Sequence, residues 1–126
     1  LLESIMPTQK AYLLMYGITD SVLMYNALLS LPGRGVTLSA ILDDWEGSDG
    51  KPANQLVFDE LVSAGASVSY YAGEMVFHHK VFVTDSFTLF GSMNWTYAGC
   101  SENDEVLFIS SDPVLTASFL EYAQGL

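Results

Sequence analysis

The chain has 126 residues, half of them hydrophobic, enough for one domain with a real core and too few for two separate ones. Four Lys and Arg against 15 Asp and Glu give a formal net charge of -11, so the general surface repels DNA, RNA and anionic headgroups, and any phosphate binding must be local. The single cysteine, Cys100, excludes an intrachain disulfide and a cysteine-rich metal framework, and no apolar run approaches the ~18–20 residues that span a bilayer.

Residues 10–18 (KAYLLMYGI) form an aromatic and aliphatic run that predicts a buried strand, and the Thr19-Asp20-Ser21 cluster after it reads as the cap of a helix. Val22, Tyr25, Leu28 and Leu29 recur at helical spacing until Leu31-Pro32-Gly33 stops the pattern. A second strand is expected over 36–42 and a polar acidic loop over 43–50. A helix follows over 55–64, ended by Gly65, and then a strand over 67–71. This β-α-β-α-β order argues for a mixed, mostly parallel sheet with helices on both faces. Beyond it, strands over 77–84 and 87–94 are joined by a tight Asp85-Ser86 turn. A strand over 105–110 and a helix over 114–124 close the chain. Residues 1–6 are too short for a signal segment, and a start at Leu1 leaves room for a leader or anchor upstream, so the compartment stays open.

Chemistry concentrates in residues 78–94, HHKVFVTDSFTLFGSMN. In a strand, alternate side chains share a face, which predicts that His78 and Lys80 project together and that Ser92 and Asn94 do the same on the next strand. The flanking Val81, Phe82 and Val83 leave neither face polar, implying a central strand with its polar groups at one end, in a cleft. These residue types suit phosphodiester cleavage: a neutral imidazole attacks phosphorus, ammonium and amide donors hold the non-bridging oxygens, and an acid protonates the leaving oxygen. Lys80 and Asn94 fit the oxygen-binding role. An imidazole nucleophile needs its other ring nitrogen held, and Glu105 is a candidate acceptor.

The pattern His78-x-Lys80-x4-Asp85, followed by Gly91-Ser92-x-Asn94, resembles the phospholipase D superfamily signature. With Gly91-Ser92-Met93-Asn94-Trp95-Thr96 and Asn103-x-Glu105, it is similar to the single-motif branch of Nuc-type endonucleases and the mitochondrial cardiolipin hydrolase, or Zucchini-like, group. The order of strands and helices is also that of this family over nearly the whole chain, so residues 1–126 are expected to be a single phospholipase D-like domain. The resemblance implies that His78 is the nucleophile, forming a phosphohistidine, with His78 of a second subunit as general acid and then base. It implies that Lys80 and Asn94 bind phosphate, Ser92 supports the pocket, Asp85 helps hold the charge network and Glu105 orients His78. It implies no metal or cofactor, in keeping with the lack of a second His or Cys cluster at ligand spacing.

One motif per chain implies a homodimer, with the site on its two-fold axis, or a partner chain that brings a different second motif. Two features depart from the family pattern. Five residues, 86–90, separate Asp85 from Gly91 where six are common, and a shorter turn is expected to absorb the difference, because a one-residue slip turns Ser92 and Asn94 to the wrong face. Ser39 and Ser69 stand where basic residues are frequent, which with the net charge disfavours extended nucleic acid and leaves a single small or membrane-lipid phosphodiester. The competing reading is a structural or assembly subunit that keeps the fold without turnover. His79, Trp95 and Tyr97 read as packing residues, the 43–50 acids as a solvated loop, and Cys100 as passive.

Overall fold

The computed structural model describes residues 1–7 and 9–126. In chain order the elements are β1 (Lys10–Met15), α1 (Tyr25–Ser30), β2 (Thr37–Leu42), α2 (Gln55–Ala64), β3 (Ser67–Tyr70), β4 (Lys80–Thr84), β5 (Thr88–Gly91), α3 (Tyr97–Ser101), β6 (Leu107–Ser110) and α4 (Pro113–Gln124). The six strands make one sheet in the order β3-β2-β1-β4-β5-β6.

The sheet is mixed. Four strands run in one sense, yet only two of the five pairings, β1 with β2 and β2 with β3, are parallel. The expectation of a mostly parallel sheet thus holds for strand direction and not for pairing, because the connections after β3, β4 and β5 carry no helical crossover long enough to return the chain in the same sense beside its neighbour. The first helix also starts later than expected. Met24 stands at its N-cap with no side-chain cap, while the Thr19 and Ser21 hydroxyls bond to each other at 2.8 Å.

Alternation along β1 sends Leu13 and Met15 to one face, where they join Leu38, Leu42 and Phe82 under Leu28 and Leu31 of the α1 end and Val57 and Leu61 of α2. Leu14, Val81 and Val83 take the other face, covered by Phe119, Leu120 and Ala123 of α4. A leucine buried this completely stabilises the fold by about 1.5–3 kcal/mol, so these two layers fix the strand register and with it the position of every residue at the strand ends. All five residues of β4 are buried, as a central strand requires. No helix among the described residues is long and apolar enough to cross a membrane.

The β4–β5 hairpin closes through a tight turn. Val81 pairs with Phe90 and Val83 with Thr88, and the Thr84 N–H donates to the Phe87 carbonyl at 2.9 Å, leaving Asp85 and Ser86 alone at the tip. The Thr84 hydroxyl accepts from the Ser86 and Phe87 amides at 3.1 and 3.2 Å, so a polar side chain inside the core side of the turn tightens it.

Gly91 is required by the approach of the chain entering β6. A Cβ there would lie 2.0 Å from the Val106 carbonyl oxygen, which accepts the Ser92 N–H at 2.9 Å. Gly91→Ala is therefore expected to cost about 1–3 kcal/mol by overpacking, read as a fall in the urea midpoint at unchanged slope.

Candidate active site

The C-terminal ends of β1, β2 and β3 and the N-terminal end of β4 meet at one end of the sheet. Residues 77–79 lie just before β4 rather than in it, so strand alternation does not set their side chains. Lys80, 7 % exposed, is the first residue of the strand, and its Nζ turns back to donate to the His78 carbonyl at 2.9 Å. His78 itself is exposed, and its ring meets Tyr16 edge-on with centroids 4.8 Å apart. The Lys80 ammonium sits 5.1 Å from the same Tyr16 centroid. His78 and Lys80 are thus brought together, but through a shared aromatic neighbour.

A polar clamp holds this end of the sheet. Asn54, 1 % exposed, donates through Nδ2 to the carbonyls of Tyr16 and Asp43, both at 2.8 Å, and accepts the Ile18 amide through Oδ1 at 3.1 Å. Asp43, 5 % exposed, accepts the Phe77 N–H at 2.6 Å and the Trp45 N–H at 2.8 Å. Asp43 thus departs from the expected solvated loop: its carboxylate is inside, fixing the segment that carries His78.

Asn94 lies past the end of β5. Its Oδ1 accepts the Gly17 amide at 3.2 Å, and the neighbouring backbone bonds Trp95 N to Gly17 O and Thr19 N to Trp95 O, at 3.0 and 2.9 Å, stitch the motif to the loop after β1. With the carbonyl oxygen taken, the amide Nδ2 of Asn94 is the group left to donate to a phosphate oxygen. Ser92 also lies outside the strand. Its hydroxyl donates to Glu105 and accepts the Val106 N–H at 3.1 Å, so its one donor is committed to holding Glu105 rather than a ligand.

Two expected placements are corrected. Glu105 bonds Ser92 and, at 3.2 Å, the Asn103 amide, and no hydrogen bond joins it to His78 among the described residues. Asp85 is at the opposite end of β4, roughly 16 Å along the strand from Lys80 at ~3.3 Å per residue, where it accepts the Lys10 N–H at 2.9 Å. The motif spacing itself enforces this separation, since an intervening straight strand carries the aspartate away from the histidine. Asp85 is a turn residue of the far edge.

His79 packs as expected. It stacks on Phe77 at 4.1 Å and on Tyr122 of α4 at 5.6 Å, and its Nε2 pairs with the Tyr122 hydroxyl at 2.8 Å, while Nδ1 is buried with no hydrogen-bond partner among the described residues. Burial first, then the charges of Lys80 and His78, push the His79 pKa down and favour its neutral form. Trp95 is a core residue at 2 % exposure, whereas Tyr97 is 58 % exposed and not packed away. Helix α3 was not foreseen, although Thr96, whose hydroxyl accepts the Gly99 amide at 3.1 Å, is an ordinary N-cap signal. Asn54 and Tyr16 gave no comparable signal.

His78, His79, Lys80, Gly91, Val76 and Phe119 line an open cleft of about 410 Å³. An exposed imidazole and a buried ammonium thus stand together at one strand end of a mixed α/β sheet, with the Asn94 amide tied to the loop after β1. The chain belongs to the phospholipase D-like family, residues 1–126 matching the family described as cardiolipin synthase, PLD-like domain. It is 33% identical over 101 residues to a mitochondrial cardiolipin hydrolase of Xenopus tropicalis, covering 79% of this chain and 46% of that protein. The corresponding protein of Xenopus laevis is 31% identical over 121 residues, or 94% and 55% of the two chains. The chain therefore spans about half the length of the curated relatives it matches. Among solved structures, the phospholipase D family member Nuc from Salmonella typhimurium superposes with a TM-score of 0.77 at 25% identity, covering 98% of this chain and 80% of that one.

Two outcomes are expected. Asp43→Ala leaves the Phe77 and Trp45 amides without their acceptor and should cost about 1–3 kcal/mol, measured by denaturant unfolding. Burial lowers the Lys80 ammonium from the ordinary lysine value of 10.5, with the Glu105 charge opposing in part. Anion binding that needs the charged form should then weaken as pH rises, beginning below 10.5, and Lys80→Met should remove that limb from an orthophosphate titration.

Proposed function

We propose that this chain is a metal-independent phosphodiesterase domain, spanning residues 1–126, that carries half of a site completed by a second copy. The observation that carries the reading is the meeting of His78 and Lys80 in one open cleft, with Asn94 bonded to Gly17 next to the Tyr16 that both of them contact, and with an ammonium that, among the described residues, no carboxylate neutralises by direct contact. In the proposed reaction a His78 ring nitrogen attacks phosphorus and forms an N–P bond as the P–O bond to the leaving group breaks. The leaving oxygen takes a proton from His78 of the partner subunit. Water then attacks phosphorus, gives its proton to that same histidine, and the N–P bond breaks to restore His78. Lys80 and the Asn94 amide hold the non-bridging oxygens throughout.

A lipid phosphodiester is the preferred substrate. Extended nucleic acid needs a track of cations, and besides Lys80 the chain has three: Arg34 donates to the carbonyls of Leu2, Glu3 and Ile5, Lys10 begins β1 at the far end, and Lys51 is a single exposed charge in the acidic loop after β2. The site end of the sheet instead exposes Trp45, Met75, Val76 and Val106, at 41 %, 79 %, 67 % and 54 %, an apolar rim suited to a lipid or to the second copy. The names of the curated relatives support the same substrate class and a mitochondrial setting.

With a nitrophenyl phosphodiester and chelator present, His78→Asn should reduce turnover by about a thousandfold or more. Specific activity of the wild type should also fall on dilution as the dimer dissociates. Equal rates for wild type and variant would remove the nucleophile assignment, and activity independent of concentration in a monomeric sample would remove the shared site.

A further inference from the structure

Tyr16 directly follows β1 and is pinned by its own backbone. Its N–H donates to the His79 carbonyl at 2.8 Å, and its carbonyl accepts from Asn54 Nδ2 at 2.8 Å. The ring that this backbone holds in place has three neighbours: Trp45 stacked at 5.7 Å, the His78 imidazole edge-on at 4.8 Å, and the Lys80 ammonium 5.1 Å from its centroid. One side chain therefore touches both groups that the phosphodiester reaction needs in register.

The nature of that contact matters as much as its position. A carboxylate bonded to Lys80 would stabilise the ammonium and cancel its charge. An aromatic face stabilises a cation through its quadrupole, carries no net charge and takes no proton. The other contact of Nζ, the His78 carbonyl, is neutral as well, and an ammonium has three donors. Among the described residues, the charged or titratable groups that bear on Lys80 are Glu105, bonded to Ser92 and Asn103; the rings of His78 and His79; and the phenol of Tyr16 itself, while Asp43 is bonded to the backbone amides of Trp45 and Phe77. None of the carboxylates makes a direct ion pair with it among the described residues. In a chain of net charge -11, this is a way to bury a cation and still leave its charge for a ligand.

We propose that Tyr16 is a positioning residue of this site, whose ring orients the His78 imidazole and holds the Lys80 ammonium against its π face without neutralising it, so that the charge remains available to one phosphoryl group. Its use in turnover rests on the phosphodiesterase reading; its effect on anion binding does not.

The test separates the two. Orthophosphate binding to the full chain is measured by calorimetry from neutral to alkaline pH, alongside turnover of the nitrophenyl diester. Tyr16→Leu should weaken orthophosphate about three- to thirtyfold and displace the alkaline limb set by Lys80, while Tyr16→Phe, which keeps the ring and drops the hydroxyl, should restore the affinity to within about threefold of wild type. A trifluorinated phenylalanine at position 16 keeps the ring shape and drains the π face, so it should bind orthophosphate less well than Tyr16→Phe even if the leucine variant fails to fold. Equal affinity for the plain and fluorinated rings, an unmoved limb in Tyr16→Leu, or no orthophosphate binding by the wild type overturns the proposal. Loss of turnover in every protein, with the order of affinities kept, supports the positioning of Lys80 and counts against the phosphodiesterase reading alone.

Discussion

A lysine ammonium buried at the end of a central strand, with a peptide carbonyl and an aromatic face as its direct contacts, is the interaction around which the site end of this molecule is organised. Burial disfavours the charged form, and the effect would favour a direct carboxylate partner in a purely structural setting. Here the nearest carboxylate that acts on it, Glu105, is held off by Ser92 and Asn103 and contributes at a distance. The consequence is an ammonium that no direct contact among the described residues neutralises, in a strongly acidic chain. The reach of such a charge is limited by screening to about a Debye length, ~8–10 Å.

Such a site depends on loops that do not move, and the clamp formed by Asn54 and Asp43 supplies that rigidity. Both are polar and almost fully buried, and together they satisfy backbone groups of residues 16, 18, 43, 45 and 77. A buried amide with all its bonds made contributes modestly to net stability, but leaving its partners unsatisfied is expensive, so the loop conformations are strongly specified. The acidic loop after β2 and the segment before β4 are thereby tied to the end of β1. Preorganisation of this kind is what electrostatic catalysis requires, because groups already in place need not reorganise as charge develops.

The architecture was largely legible in the sequence because it rests on periodicity. The helix α2 has the expected bounds, and the β4–β5 turn falls at Asp85-Ser86, where the alternation breaks. The site was legible as a set of residue types but not as a geometry. Treating 77–84 and 87–94 as continuous strands placed His78 beside Lys80 and Ser92 beside Asn94 by alternation, whereas β4 starts at Lys80 and β5 ends at Gly91. A residue outside the ladder takes its orientation from tertiary contacts, here Tyr16 and Gly17, which are about 60 to 80 positions away in sequence and carry no local signal. Asp85 shows the converse. It belongs to the motif by spacing, yet a five-residue strand has one end only within reach of His78, and the aspartate is at the other.

The proposed two-copy site would constrain how a second copy can approach. The most exposed apolar element is β6, an edge strand with Leu107, Phe108 and Ile109 at 41 %, 54 % and 62 % exposure, and an open edge invites pairing with an identical strand. Antiparallel addition of β6 to its symmetry mate would put five strand spacings between the two β4 strands, roughly 24 Å at ~4.8 Å each. One phosphorus atom cannot be reached from both sides over that span. A shared site of the proposed kind therefore needs the two-fold axis to pass close to the end of the sheet, where His78, Val76, Gly91 and the Val106 carbonyl lie, with the β6 side chains packing by their faces and not through the backbone edge. The bond from Ser92 N to Val106 O, and the space that only a glycine at 91 leaves for it, keep the β6 entry close against that end. The same close approach that rules out a side chain at position 91 thus keeps β6 near enough to the strand end for its apolar faces to take part in the contact that the proposed shared site would require.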